Sequence, residues 1–292
     1  MVNHYCTAAE VKSAVNYPST GAPVSDADIN VMIGYAEEEI EEIYKTKFGN
    51  IETSGTVDGD YTTTTLSDSS ETWTTDEYVG YILWIYGGTG AGQYTEIQAN
   101  TTTKLTFTAV TTAPDATSTY RIVKLGFKSE TIDGTGNDVM YSNYQPLINL
   151  NALTIDSTAV DVTDTYVYNT GKIQLKRTAD MTYFTSTYPQ LVDLEYIYGV
   201  YPLPQIIKRL CICIAGVRTL TSQIAGTYDD FTSVSLPGGF TGAKGEPYQN
   251  IKASLDYLQG EARGIIYGSQ STGQVSGDFR TEPSYRPFVL FG

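Results

Sequence analysis

The densest candidate for chemistry is Gly87-Gly88-Thr89-Gly90-Ala91-Gly92. Glycines let backbone N–H groups converge on a phosphate, but such a loop must lead into a helix N-terminus, and the Walker form adds Lys then Ser or Thr. Here Gln93-Tyr94-Thr95 follows, without a lysine, so the run predicts a tight turn between strands. His4 is the sole histidine and lies near the chain start, where a catalytic triad or metal site would lack support. Cys211-Ile212-Cys213 lacks the two-residue gap of a zinc knuckle, and helix positions two apart do not face each other. With Cys6 they make an odd set, read as buried reduced thiols suited to a cytosol. Asp58 and Asp60, Asp161 and Asp164, and Asp229 and Asp230 are carboxylate pairs. A glycosidase pair is spatial rather than sequential, and Asp58-Gly59-Asp60 lacks the further spacing of a calcium loop, so turn chemistry explains them better. Trp73, Tyr81, Trp84, Tyr86 and Tyr94 could stack on sugars or simply build a core. No residue is assigned to catalysis, a cofactor or a metal, and no enzyme is expected.

The elements around these residues fall into three blocks. Thr7-Ala8-Ala9-Glu10 has capping-box spacing and predicts a short helix to about Val15. Ser25, with Asp26 and Asp28 behind it, starts a second helix whose Ile29, Met32, Ile33, Ala36, Ile40, Ile43 and Tyr44 recur on one face. Its other faces carry Glu37, Glu38, Glu39, Glu41 and Glu42, and Gly49 is a candidate for its C-terminal cap. From Ile51 to Val123 about five short β-branched and aromatic runs predict a small barrel or sandwich. A second strand region follows from Thr131 to Tyr198. Pro204 then opens an apolar helix through Leu220, and an amphipathic helix runs from Tyr248 to Gly260 or Ile266.

The remaining composition limits the partners. Eighteen Lys and Arg against 33 Asp and Glu give a net charge of −15, which argues against a phosphate-gripping surface. A negative wall would still let DNA slide past. The start lacks a basic, apolar signal, and no stretch approaches the roughly 18 apolar residues of a membrane span. Beyond Gly268 a Gly/Ser-rich linker ends in Tyr285, Arg286, Pro287, Phe288, Val289, Leu290 and Phe291, an apolar stub suited to docking on a partner.

Ser25-Asp26-Ala27-Asp28-Ile29 followed by Ala36-Glu37-Glu38-Glu39-Ile40-Glu41-Glu42-Ile43-Tyr44 resembles the opening helices of head–tail adaptor (connector) proteins of tailed viruses. Tyr144-Gln145-Pro146-Leu147, the strand Val192 to Gly199, and Pro202-Leu203-Pro204-Gln205-Ile206-Ile207-Lys208 are similar too. Leu66-Ser67-Asp68, the Gly87 to Gln93 loop and Pro114 to Tyr120 resemble a small β module found in phage virion proteins. The resemblance implies an α+β chain: a helical bundle with a β region and an inserted small antiparallel β barrel or sandwich module. The bundle is expected at 1–50 and 200–267, the module at 51–125, the adaptor's β region at 126–199 and the docking tail at 268–292.

The resemblance further implies a ring of copies, a dodecamer in most of the family, at the head–tail interface of a virion assembled in host cytoplasm. Its partners would be itself, the portal protein, a tail or tail-completion protein, and the capsid through the β module. DNA would pass through without specific binding, and no membrane is involved. Tyr285 to Phe291 would dock on the portal, and Glu37, Glu38, Glu41 and Glu42 would line the channel. The competing expectation is a carbohydrate-binding or glycan-cleaving virion or surface protein acting through the aromatic β module.

Overall fold

A computed structural model describes residues 4–15, 24–176, 182–184, 191–227 and 246–267. It opens with α1 (Ala8–Ala14) and α2 (Asp26–Tyr44). Strands follow as β1 (Ile51–Thr56), β2 (Thr65–Ser67), β3 (Ile82–Gly87), β4 (Tyr94–Asn100), β5 (Lys104–Phe107) and β6 (Thr119–Val123). Then come β7 (Gly126–Ile132), β8 (Val139–Tyr141), β9 (Leu147–Ile155), β10 (Thr158–Val160), β11 (Thr165–Val167), β12 (Lys172–Leu175) and β13 (Val192–Tyr198). Helices α3 (Gln205–Thr227) and α4 (Glu246–Tyr267) complete the described chain.

The expected helical-bundle core is not what the chain builds. The described chain is mostly β, with thirteen strands in three sheets and only four α-helices. It divides into two compact units, one of Met1–Asn3 with Lys45–Pro204 and one of His4–Tyr44 with Gln205–Gly292. The physical reason is that the strand segments bury their own apolar faces in separate clusters and need no helix to cover them. The stretches read as module and adaptor β region both fall within the first unit.

Within the β unit, the six-stranded antiparallel sheet runs β1-β6-β3-β4-β5-β2. It curls until its ends meet, with the Asp58 amide donating to the Ser67 carbonyl at 3.1 Å just beyond β1. Leu66, Trp73, Leu83, Ile97, Leu105, Phe107, Tyr120 and Ile122 fill the inside. Alternation turns Ile82 and Val123 to the other face, where they join Leu125 and Ile197 in a second cluster. Asn151 of β9 reaches across to donate to the Tyr94 carbonyl at 3.2 Å. The four-stranded sheet, β10-β9-β13-β7, packs with the three-stranded sheet, β11-β12-β8, around Leu153, Ile155, Ile173, Leu175, Val192, Leu194 and Tyr196.

In the helical unit α3 packs against α1, α2 and α4. Thr7 and Glu10 form the reciprocal capping box of α1. The Asp28 amide donates to Ser25 Oγ at 3.2 Å, and Ser25 Oγ donates to the Asp28 carboxylate at 2.6 Å, which holds the start of α2. Ile29, Ile33, Ala36 and Ile40 are the buried stripe of that helix. Gly49 does not cap it. The helix stops at Tyr44, and Lys45 takes the left-handed conformation at φ 50°. Gly49 is small for another reason: a Cβ there would lie 2.1 Å from the Lys124 carbonyl oxygen.

Candidate assembly surfaces

The four glutamates expected on a channel wall divide by helix geometry. Val31, Tyr35, Glu38 and Glu42 recur at i, i+4, i+7 and i+11, so they share the stripe of α2 opposite Ile29, Ile33, Ala36 and Ile40. All four are exposed, Val31 at 54% and Tyr35 at 53%. Arg218 lies 5.9 Å from the Tyr35 ring and donates to Glu39 at 2.8 Å, which adds a cation beside the stripe. Glu37 and Glu41 project from the flank instead and hold the amino-terminal segment. Glu37 is buried, accepts from the Tyr5 amide, and lies 3.3 Å from His4 Nδ1. Glu41 accepts from the Tyr5 hydroxyl at 2.6 Å. An exposed channel wall is therefore open to Glu38 and Glu42 but not to Glu37. The lone histidine has a structural place beside α2.

The aromatic residues of the curled sheet also separate. Trp73 lies inside, edge-on to Tyr78 and Tyr120, and Tyr81 packs against the same cluster. Trp84, Tyr86 and Tyr94 are on the outer face, where Trp84 and Tyr94 stack at 5.4 Å and 7°. Arg121 covers this group, 5.2 Å from the Trp84 centroid and 4.2 Å from that of Tyr86. The rings thus spend much of their π surface on one another and on a guanidinium.

A third set forms on the three-stranded sheet. Tyr166 pairs with Gln174 and Gln174 with Val139, while Lys172 pairs with Tyr141. The Tyr168 amide donates to the Lys172 carbonyl at 2.9 Å, extending that second row. Because Ile173, Leu175 and Met140 point into the core, alternation sends Tyr166, Tyr168, Lys172, Gln174, Lys176 and Tyr141 to the opposite face. Tyr141 is 58%, Tyr166 54% and Tyr168 42% exposed. Lys172 Nζ sits 4.8 Å from the Tyr168 ring and Lys176 Nζ 5.0 Å from that of Tyr166. Sequence reading placed these runs in a strand region and missed the face. The signal was present as Tyr166-Val167-Tyr168 and Lys172-Ile173-Gln174-Leu175-Lys176, two alternations whose polar members share a parity.

The residues screened for catalysis have structural places. Gly88, Gly90 and Gly92 take positive φ in the hairpin between β3 and β4, and the turn is pinned by Gln93 Nε2 donating to the Gly90 and Thr112 carbonyls at 3.0 and 2.8 Å. Cys6 Sγ lies 3.5 Å from Cys211 Sγ, both buried. Burial, with Glu261 nearby, pushes the Cys213 thiol up to about 12, so it is protonated at neutral pH. An open groove between α1, α3 and α4 is bridged by Lys208–Glu10 at 2.6 Å and by Arg209–Glu261. Asp58 accepts from the Ser69 amide and hydroxyl at 2.7 and 2.5 Å, which lowers its pKa. Among the described residues no cluster of three His, Cys, Asp or Glu could hold a metal ion, and no helix is long and apolar enough to cross a membrane. Asp229 and Asp230, and the stub Tyr285, Arg286, Pro287, Phe288, Val289, Leu290 and Phe291, lie outside the described residues.

The chain matches no protein-family model, and no curated protein matches it.

Proposed function

We propose that this protein is a structural component of a tailed-virus particle, a head–tail adaptor that assembles as a ring between portal and tail. The observation that supports it best is the grouping of exposed large hydrophobic side chains, mostly tyrosines, on regular elements. Tyr141, Tyr166 and Tyr168 share one sheet face, and Val31 and Tyr35 share one helix stripe. Rigidly held aromatics are large contact area at small entropic cost, and such groups mark surfaces that a partner covers. The adaptor identity within that class rests on the resemblance in the two helical segments and in β13, whose Gly199 turns at φ 135° before α3.

In this reading the net charge of −15 keeps the ring from binding the DNA that passes through it. The segment Tyr285 to Phe291 docks on the portal. The curled sheet faces the capsid or the particle exterior.

Solution mass, measured with and without portal protein, tests the reading. A closed ring, formed alone or on the portal, is expected. A chain that stays monomeric with portal present and binds or cleaves glycans would overturn it. Removal of Ser284 to Gly292 is expected to abolish portal binding, and unchanged binding would sink the docking assignment.

A further inference from the structure

We infer that the ring contact joins two different faces of the same chain: the Tyr/Lys face of the three-stranded sheet on one copy and the outward stripe of α2 on the next. This rests on the ring reading above and names its interface. A contact between unlike patches is the kind that closes into rings, whereas a patch meeting itself stops at a pair.

Three observations select these partners. The first is composition. The sheet face carries Tyr141, Tyr166 and Tyr168 exposed, with two half-buried lysines, Lys172 and Lys176, whose ammonium groups lie over tyrosine rings. The stripe of α2 carries Val31 and Tyr35 in its first half, then Glu38 and Glu42.

The second is charge. In a chain with 33 acidic and 18 basic residues, a paired-lysine face is unusual, and the acidic stripe is its electrostatic complement. Asp138 is near the lysine face, accepting from Gln174 Nε2 at 2.9 Å, and Lys172 Nζ donates to Gln174 Oε1 at 3.1 Å. The Lys176 ammonium donates to the uncharged Thr163 carbonyl at 2.5 Å, and its charge helps to lower the pKa of the nearby Asp161.

The third is shape. Val31, Tyr35, Glu38 and Glu42 span three helical turns, roughly 16 Å at 1.5 Å per residue. Three strands spaced about 4.8 Å apart, with their side chains, offer a surface of comparable breadth. The apolar half of the stripe then meets tyrosine rings while Glu38 and Glu42 meet Lys172 and Lys176.

Charge reversal on each face tests the contact. Lys172→Glu with Lys176→Glu, and separately Glu38→Lys with Glu42→Lys, are expected to weaken association at least tenfold by sedimentation, with unchanged circular dichroism. Each pair changes exposed or half-buried positions. A mixture of the two variants restores ring mass, because every junction in an alternating ring again joins opposite charges. Tyr166→Ser supplies an uncharged control and is expected to weaken association without altering its salt dependence.

Four results would overturn the inference. The first is assembly of both charge variants that matches the native chain, so that the ring stands on another interface. The second is a mixture that fails to recover what the separate variants lose. The third is loss of portal binding by the sheet variants while ring mass holds, which would give that face to the portal. A native chain that forms no ring with or without portal removes the reading beneath the contact as well.

Discussion

The six-stranded and three-stranded sheets use tyrosine in opposite directions. In the first, Tyr120 is fully buried, edge-on to Trp73, and its hydroxyl donates to the buried Asp68 carboxylate at 2.8 Å. Asp68 also accepts from the Ser70 amide and hydroxyl at 3.0 and 2.6 Å, so this polar group is buried with its partners. Burial, reinforced by that carboxylate, pushes the Tyr120 phenol well above its usual range. In the second sheet, Tyr141, Tyr166 and Tyr168 stand in solvent with lysines over two of the rings. The same side chain seals a core where packing exists within the unit, and stands exposed on the outer face of the three-stranded sheet. The lesson is that exposed tyrosines on a strand are informative when their register places them together.

Substitutions should separate the two uses cleanly. Tyr120→Ala is expected to cost about 3–5 kcal/mol, read as a shift in the urea midpoint, since it opens a cavity and removes the donor to Asp68 Oδ2. Stability within about 1 kcal/mol of the native chain would show that the buried tyrosine is not the keystone of the curled sheet.

Gly55→Ala should follow at about 1–3 kcal/mol, because the added Cβ would lie 2.1 Å from Asp68 Oδ2 and 2.7 Å from the Tyr120 hydroxyl. Its effect should shrink in an Asp68→Ala background. Equal losses in both backgrounds would place the clash elsewhere.

Acid titration gives a smaller effect. Hydrogen bonds from Ser69 lower the Asp58 pKa, and those from Thr117 and Thr89 lower that of Asp115. A depressed folded-state pKa means stability that is present above the ordinary aspartate value of 3.8 and lost as pH falls through the lower folded value. Asp58→Asn should therefore flatten the acid limb of the stability curve by lowering the plateau above pH about 5, while the two chains converge in stability at low pH. An unaltered acid limb would remove Asp58 from the account.

Tyr166→Ser and Tyr168→Ser should have the smallest effect on the isolated chain, within about 0.5 kcal/mol by the same denaturation. A loss comparable to that of Tyr120→Ala would mean the outer tyrosines serve the fold rather than a partner.

Local chemistry was legible where a few neighbouring residues decide the outcome. The Thr7–Glu10 capping box, the buried stripe of α2, and β3 to β6 follow from spacing and period. The strands hardest to read from the sequence have weak local signals. β1, Ile51-Glu52-Thr53-Ser54-Gly55-Thr56, has one large apolar residue and is held by its pairing with β6. β7 begins at Gly126, where a Cβ would lie 2.3 Å from the Tyr198 ring on the neighbouring strand. Gly49 was legible as a special position but not in kind, because the Lys124 backbone that crowds it is 75 residues away in sequence, 124 − 49.

Residue order alone determined that this chain alternates helix and strand blocks, carries excess negative charge, and places Gly88, Gly90 and Gly92 at a turn. Tertiary structure decided that the helices make a unit of their own rather than the core around which the sheets are hung. It also decided that Glu37 and Glu41 secure the amino-terminal segment while Glu38 and Glu42 look outward, and that Tyr141, Tyr166 and Tyr168 share one face. The reason is range. Caps, turns and periodicity act across one or two turns of chain, whereas strand register and the burial of a carboxylate depend on segments far apart in sequence that only folding brings into contact.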